Sequence, residues 1–273
     1  MATATAVRRR ATVAREAALR ERLEGMYREY GSTRLDPDPL EIVRGYGGSD
    51  DREVAGLVAA GLAFGGVRSI LASARRALAP LGERPAAALA RTGDADLRAA
   101  LAGVRHRWVD GDDLAALLGA IRRVRSRHGS LQRAFLAGDP GGADVGGALD
   151  AFARRLRAAD PGFARRGAAA FVPAPSDGSA CKRPALFLRW MARDDGLDTG
   201  AWRGVDPARL VLPLDVHVGR AARALGLLRR RVNDWPAALE ATAALRRIEP
   251  RDPVKYDFAL CHAGMRGEPA TPR

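Results

Sequence analysis

The chain has 273 residues, enough for one large domain or for two lobes, and 47% of them are hydrophobic but only 5% aromatic. No run of 18 apolar residues occurs and the first residues lack the apolar stretch of a secretory signal, so we expect a cytoplasmic protein without a membrane span. The formal net charge of +13 favours a polyanionic partner, because phosphate contacts dominate the affinity of proteins for nucleic acids.

The chain begins with a small, basic segment, residues 1–12, that has no periodicity and is predicted to be a disordered arm. A single helical domain is predicted over 13–273. Its expected helices follow in chain order: from Val13 past Met26, a short one near Asp38, one from Asp50 or Asp51, then 67–78, 112–128, a helix capped by Ser130, 182–193, 216–225, 235–247 and 252–264. No strand pattern of any length occurs, so the predicted fold class is all-α.

Two irregular stretches divide the helices. The segment "AGDPGGADVGG" at 137–147 is rich in glycine, and "ADPGFARRGAAAFVPAPSDGS" at 159–179 carries proline and glycine breaks. The halves on either side of these linkers are therefore expected to pack as two lobes.

The cysteines and histidines of the sequence do not predict a metal centre. Cys181 and Cys261 allow one disulfide at most and fall short of a four-cysteine zinc or iron–sulfur site. Free thiols in a reducing compartment are the simpler interpretation. We predict no metal and no cofactor.

Lysine is rare in this sequence: Lys182 and Lys255 are the only two among 45 basic residues, so the other 43 are arginine. An arginine would supply the same charge, whereas only a lysine amine can become neutral and act as a nucleophile. Lys182 stands at the start of a predicted helix, where the helix dipole and neighbouring Arg183 both disfavour the ammonium form. Lys255 is predicted to lie in the first turn of a helix capped by Asp252, as a surface or structural residue.

A second polar residue stands at a helix start in "RLVLPLDVHVGRAARALGL". Asp215 precedes the apolar periodic run, and Gly226 follows it, so Asp215 is predicted as an N-cap and Gly226 as the residue after the helix. A capping aspartate lies beside the positive end of the helix and is expected to be ionised.

These two segments resemble the helix-hairpin-helix DNA glycosylase superfamily of endonuclease III. "GSACKRPALFL" is similar to its hairpin and second helix, and "LPLDVHVGRAARALGL" to the helix that carries its aspartate. The separation of 33 residues between Lys182 and Asp215 is nearest to the archaeal 8-oxoguanine glycosylase branch. The sequence departs from the pattern at the second hairpin glycine, replaced by Ala180, and it lacks the iron–sulfur cysteines. "NDWPAALEATAALRRIEPRDPVKYDFALCHAGM" also resembles the end of an uncharacterised bacterial family.

The resemblance implies a two-lobed helical glycosylase with its hairpin and catalytic segment at 176–227. It implies a monomeric DNA repair enzyme that excises a damaged base, such as an oxidised purine, from duplex DNA, with Lys182 as Schiff-base nucleophile and Asp215 as catalytic carboxylate. The implied DNA contacts are Gly178, Ser179, Ala180, Cys181, Arg183, His217 and Arg220, and the implied base pocket contains Phe64, Trp190 and Trp202.

Other interpretations of these residues stay open. Phe64 and Trp190 can be core residues, since apolar side chains are mostly buried, and His217 can be structural. Asp215 can activate water in a monofunctional glycosylase that leaves Lys182 unused. The chain can also be a non-catalytic DNA- or RNA-binding protein of the same fold.

Overall fold

A computed structural model describes residues 2–30 and 37–266 of the chain, and for residues 2–12, 164 and 166 it describes the backbone alone. In these ranges the regular structure is helical, without a strand, which confirms the all-α prediction. The α-helices of the described ranges are α1 (Ala2–Tyr30), α2 (Leu40–Arg44), α3 (Ser49–Gly61), α4 (Val67–Leu78), α5 (Pro85–Arg91), α6 (Asp94–Leu101), α7 (Gly111–His128), α8 (Leu131–Leu136), α9 (Gly146–Ala159), α10 (Arg166–Ala169), α11 (Lys182–Ala192), α12 (Val216–Ala224), α13 (Trp235–Ile248) and α14 (Asp257–Arg266). Within the described part of the chain, no helix is long and apolar enough to cross a membrane.

Helix ends follow the capping residues where the sequence carries them. Helix α4 has the predicted bounds, and α7 ends before Gly129, whose φ of 84° only glycine adopts easily. The Ser130 hydroxyl accepts a hydrogen bond of 3.0 Å from the Arg133 amide at the start of α8, as predicted for a cap. Helix α12 lies between Asp215 and a glycine of positive φ at position 226, which confirms both predicted ends.

Other elements differ from the prediction. Helices α5 and α6 occupy a region without a predicted helix, and α9 begins at Gly146, inside the expected linker. Helix α14 begins at Asp257, so the prediction of a helix from residue 252 is wrong: Lys255 lies in the preceding turn, where its amide bonds the Asp252 carbonyl at 3.2 Å. The predicted arm 1–12 coincides with the first turns of α1 and with Met1, which lies outside the described residues.

The core runs through the whole helical assembly. Its largest buried side chains include Trp190, Trp202, Phe152 and Phe187. Phe187 and Trp202 meet edge to face with ring centroids 5.1 Å apart, and Trp202 donates its indole N–H to the buried Glu53 carboxylate at 3.2 Å. Apolar burial of this kind is the main force that holds helices together.

Glycines allow the closest helix contacts near the carboxyl end of the chain. A Cβ at Gly264 of α14 would lie 2.1 Å from the carbonyl oxygen of His217 in α12, so only glycine permits this approach. A Cβ at Gly56 of α3 would lie 3.0 Å from the Met191 side chain of α11. These contacts bring α12 against α14, and α3 against α11.

A buried ion network joins α11 to the loop after it and to α14. Arg189 contacts Asp198 at 3.2 Å and also Asp257, while Arg193 contacts Asp198 and, at 2.9 Å, Asp252. Breaking a buried ion pair by removing one partner typically costs about 3–5 kcal/mol, since a charge is left without its counterion. The network therefore fixes the orientation of α11.

Candidate active site at the starts of two helices

The backbone turn before α11 sets the direction of Lys182. Gly178 and Cys181 both have left-handed φ values, 73° and 52°, so the chain turns sharply twice before the helix begins. The Cys181 amide donates to the Ser179 hydroxyl at 3.1 Å, and the cysteine side chain is completely buried. The side chain of Cys181 is thus a structural anchor, and the assignment of Cys181 as a DNA contact stays a prediction.

Lys182 and Asp215 form an ion pair. The Lys182 Nζ lies 3.1 Å from Asp215 Oδ2 and donates to the Ala63 carbonyl at 3.3 Å. The side chain of Lys182 is 33% exposed and that of Asp215 is 17% exposed. The structure therefore brings the two predicted catalytic residues together and leaves the Lys182 side chain partly exposed.

Asp215 is held by the helix that it begins. Its Oδ1 accepts hydrogen bonds of 2.9 Å from the backbone amides of His217 and Val218. Asn233 donates to the Asp215 carbonyl at 2.9 Å, which fixes the backbone as well. One carboxylate oxygen thus serves the helix and the other faces the amine.

Two groups of α14, the buried Asp257 and the half-buried Cys261, have pKa values that depend on the charges of Lys182 and Asp215. Burial raises the pKa of the Asp257 carboxyl to about 6; Arg189 opposes the rise and the negative charge of Asp215 adds to it. Burial raises the pKa of the Cys261 thiol to about 12, with further contributions from the charges of Asp215 and Asp257. The wall of α14 beside the pair therefore carries a carboxyl and a thiol whose ionised forms are disfavoured by burial.

An aromatic cluster adjoins the other side of the pair. Phe64 stacks on Trp108 with centroids 4.4 Å apart, and the Arg183 guanidinium lies 5.1 Å from the centre of the Phe64 ring. Burial lowers the pKa of Arg183 to about 10. Phe64 follows Ala63, whose carbonyl accepts from Lys182, so the cluster is linked directly to the amine. Trp108 was not predicted; an arginine-flanked tryptophan between two helices, "RHRWVDG", is the sequence signal that points to it.

The other predicted site residues are dispersed. Trp190 and Trp202 are 0% and 2% exposed, so neither offers a ring face to a flipped base, and their assignment to a base pocket is corrected. Gly178 is exposed in the turn before α11, with Ser179 and Ala180 half-buried beside it. These three hairpin residues keep their assignment as predicted DNA contacts.

His217 and Arg220 lie on α12, after Asp215. The Nδ1 of His217 is buried without a hydrogen-bond partner among the described residues. Arg220 is exposed and donates to the Gly264 carbonyl at 3.2 Å. Both remain predicted DNA contacts, and the unpartnered histidine nitrogen is a free acceptor or donor on the helix that carries Asp215.

Elsewhere, a cavity of about 530 Å³ lies between α5 and α7 and includes neither Lys182 nor Asp215. Its lining contains Arg122, Arg123 and Arg125, each of which already pairs with a carboxylate of the protein. Across the described part of the chain, no cluster of three or more histidine, cysteine, aspartate or glutamate side chains could hold a metal ion.

Comparison with known proteins gives one family. The model of the family described as "Protein of unknown function (DUF2400)" matches residues 38–266. No curated protein matches the chain. The matched range includes the Lys182–Asp215 pair, both helices that carry it and the Phe64–Trp108 cluster.

Proposed function

The chain belongs to the DUF2400 family of proteins of unknown function, and we propose that it is a DNA glycosylase with AP lyase activity that excises a damaged base from duplex DNA. The proposal extends to the fold, as a two-lobed helical protein of the helix-hairpin-helix glycosylase type. The observation that carries it is the contact of 3.1 Å between the only lysine that begins a helix and a capping aspartate 33 residues away.

The pair supplies the two groups that base excision by a lysine needs. Asp215 accepts a proton from the Lys182 ammonium, and the neutral amine attacks C1′ of a nucleotide that has left the base stack. The bond from Nζ to C1′ forms while the bond from C1′ to the base breaks, and the base leaves with the electron pair. The departing base takes up the proton that Asp215 received, and the carboxylate regenerated in this way stabilises the positive charge on the sugar and the attached amine.

The covalent product explains strand nicking. Opening of the sugar ring gives an imine between Lys182 and C1′, and this electron sink makes the C2′ proton acidic. Loss of that proton expels the 3′ phosphate, which breaks the strand. Hydrolysis of the imine then releases the lysine. An arginine at this position would supply the charge but could not form the imine.

Borohydride trapping tests the proposal. The full chain is incubated with duplexes that carry an oxidised purine, other damaged bases or an abasic site, with and without sodium borohydride. We expect a reduced covalent adduct that peptide mapping locates to Lys182, a simple assignment because Lys255 and the terminal amine are the only other candidates. Binding of the abasic duplex without any adduct would refute the lyase activity.

A second candidate is a non-catalytic or monofunctional DNA-binding protein of the same fold. The observation that favours it is the second contact of Lys182, to the Ala63 carbonyl at 3.3 Å, because an amine with two protein partners also serves as a structural tie. The same assay separates the candidates: base release without adduct or nicking supports the monofunctional enzyme, and binding alone supports the non-catalytic protein.

A further inference from the structure

Trp108 differs from every other tryptophan of the chain in its exposure. It is 55% exposed, whereas Trp190, Trp202 and Trp235 are 0%, 2% and 9% exposed. Because tryptophan is large and mostly apolar, an exposed one on a well-packed protein is a frequent mark of an interaction site.

The loop under Trp108 is rigid. His106 and Val109 exchange two backbone hydrogen bonds of 2.9 Å, which closes a two-residue turn with Arg107 at a φ of 55°. The buried His106 ring contacts the Phe64 carbonyl at 2.9 Å and the Ser73 hydroxyl at 3.1 Å. The turn therefore holds the indole outside the core in a fixed position.

The indole stacks on one neighbouring ring and is otherwise largely exposed. Phe64 stacks on Trp108 at an interplanar angle of 24°, and 55% of Trp108 remains exposed. The Arg107 guanidinium lies 5.7 Å from the indole centre, and Arg183 lies over Phe64. Phe64 and Trp108 therefore form a stacked pair with an arginine guanidinium beside each ring.

We propose that Trp108, supported by Phe64, is a stacking platform for an unpaired nucleobase of a nucleic acid. Base stacking needs a flat, accessible aromatic face, and every base has a matching π-face. The flanking arginines favour a ligand that carries phosphates, in agreement with the net charge of +13. A docking site for an apolar protein segment would not need these cations beside the ring.

The platform lies next to the candidate active site but does not depend on its chemistry. Phe64 is joined to Ala63, which accepts the hydrogen bond from Lys182, so a base on Trp108 would belong to the same strand region that the amine approaches. This inference goes beyond the proposed glycosylase activity, because a non-catalytic protein would use the platform equally.

Tryptophan fluorescence of the unaltered protein gives the first test. Trp108 is the accessible tryptophan, so acrylamide should quench its share of the emission, and a saturating oligothymidine should shield that share. We expect the quenching constant to fall at least twofold. Quenching that is unchanged at saturating oligothymidine would overturn the proposal.

Substitutions give the second test, by anisotropy with labelled oligothymidine, a duplex with one abasic site and an intact duplex of equal length. We expect Trp108→Ala to weaken binding of the first two on the order of tenfold, in keeping with stacking by one aromatic side chain, and of the intact duplex less than twofold. Trp108→Phe should restore most of the affinity. Val232→Ala, at an apolar side chain that is 66% exposed, is the matched control without effect.

Two further outcomes decide the matter. Equal losses for intact and unpaired DNA, or no loss at all, would overturn the platform. Thermal unfolding of each variant excludes a folding defect, and the fluorescence test needs no variant. Lys182→Arg should lose the trapped adduct but keep the Trp108-dependent binding, so failure of the glycosylase proposal and failure of this one are distinguishable.

Discussion

One carboxylate oxygen of Asp215 contacts Lys182, and the other accepts hydrogen bonds from the helix that Asp215 begins. Oδ2 lies 3.1 Å from the lysine Nζ, while Oδ1 accepts from the amides of His217 and Val218. The charge of the aspartate and its capping role are therefore separable, because asparagine caps a helix about as well as aspartate but carries no charge.

We predict that Asp215→Asn keeps the fold and loses the reaction. The free energy of unfolding should fall by about 1–2 kcal/mol, since the cap is preserved but the partly buried Lys182 ammonium loses a charged hydrogen-bond partner. Base release should slow by a factor on the order of hundreds, because removal of a group that stabilises transition-state charge typically costs about 3–4 kcal/mol. Urea unfolding and single-turnover kinetics on the best lesion measure both.

Asp234→Asn is the matched control, since Asp234 caps α13 through the Ala237 amide at 2.9 Å. It should leave base release unchanged. Equal rates for the two variants would remove Asp215 from the reaction.

The second prediction concerns Lys182→Arg. The substitution keeps the positive charge and most of the packing, so binding of damaged duplex should stay within about threefold, as expected when the charge beside Asp215 is conserved. Strand nicking and the borohydride adduct should both disappear, because a guanidinium cannot form an imine. Gel assays and mass spectrometry measure these products.

Lys255→Arg is the control for the other lysine. Lys255 binds Glu24 Oε1 at 2.8 Å and lies 5.0 Å from the centre of the Tyr27 ring, contacts that tie the turn before α14 to α1. The variant should keep both activities. An adduct that persists in Lys182→Arg and is lost in Lys255→Arg would reverse the assignment.

The sequence predicted the features of the site that depend on neighbouring residues alone. Asp215 caps α12 and a glycine follows that helix, so these ends followed from neighbouring residues. Lys182 begins α11 after Cys181, which supplies no capping side chain, and this start was expected from Pro184 in the first turn. Their proximity in space was expected only through the resemblance to glycosylases, since 33 intervening residues do not fix a distance.

Tertiary contacts decided what the sequence could not predict. Helix α9 begins within a glycine-rich segment at Gly146, where a Cβ would lie 2.8 Å from Asp144 Oδ1 and 3.0 Å from the Trp235 ring. Periodicity marks aromatic residues as apolar but does not distinguish the buried Trp202 from the exposed Trp108. Similarly, Arg122 and Arg123 pair with Asp94 and are less available to phosphates than their number suggests.

The third prediction follows from the contact between α12 and α14. In Gly264→Ala the new methyl group would lie 2.1 Å from the His217 carbonyl oxygen, so the helices must separate. We expect a loss of about 3 kcal/mol of unfolding free energy, at the upper end for overpacked sites, and weaker activity, since Asp215 begins the displaced helix. Thermal unfolding measures the loss. Gly103→Ala, where a Cβ meets nothing within 4 Å, should change little, and equal stability of both variants would contradict the close contact.

The fourth prediction is a steep dependence of DNA affinity on salt. Each phosphate neutralised contributes a slope of about −0.9 to a plot of log K against log salt. Arg229 and Arg231 are exposed and are not among the α7 arginines that pair with carboxylates of the protein. Each should therefore contribute about one phosphate contact. Arg229→Ala should therefore reduce the slope by about 1, whereas Arg154→Ala, which removes an i,i+4 partner of Asp150, should not. Affinity that is independent of salt would exclude a phosphate-dominated interface.

The last prediction uses the buried carboxyl beside the site. Burial raises the pKa of Asp257 to about 6 in the folded chain, above its value in the unfolded chain. A raised folded pKa stabilises the protein fully below the unfolded pKa, near 3.9, and this contribution is lost as the pH rises through 6. Relative to Asp257→Asn, which cannot ionise, the wild type should therefore lose about 2 kcal/mol between pH 4.5 and pH 7.5.

Urea unfolding of both proteins at several pH values from 4.5 to 7.5 measures this difference. Asp234→Asn serves as the control: Arg230 lowers the pKa of Asp234, so it is ionised in both states throughout this range and its variant should differ from wild type by a constant amount. A constant difference for Asp257→Asn as well would mean that Arg189 keeps the carboxylate charged at every pH tested. In that case Asp257 would contribute a fixed negative charge to the wall beside Lys182 instead of a titrating one.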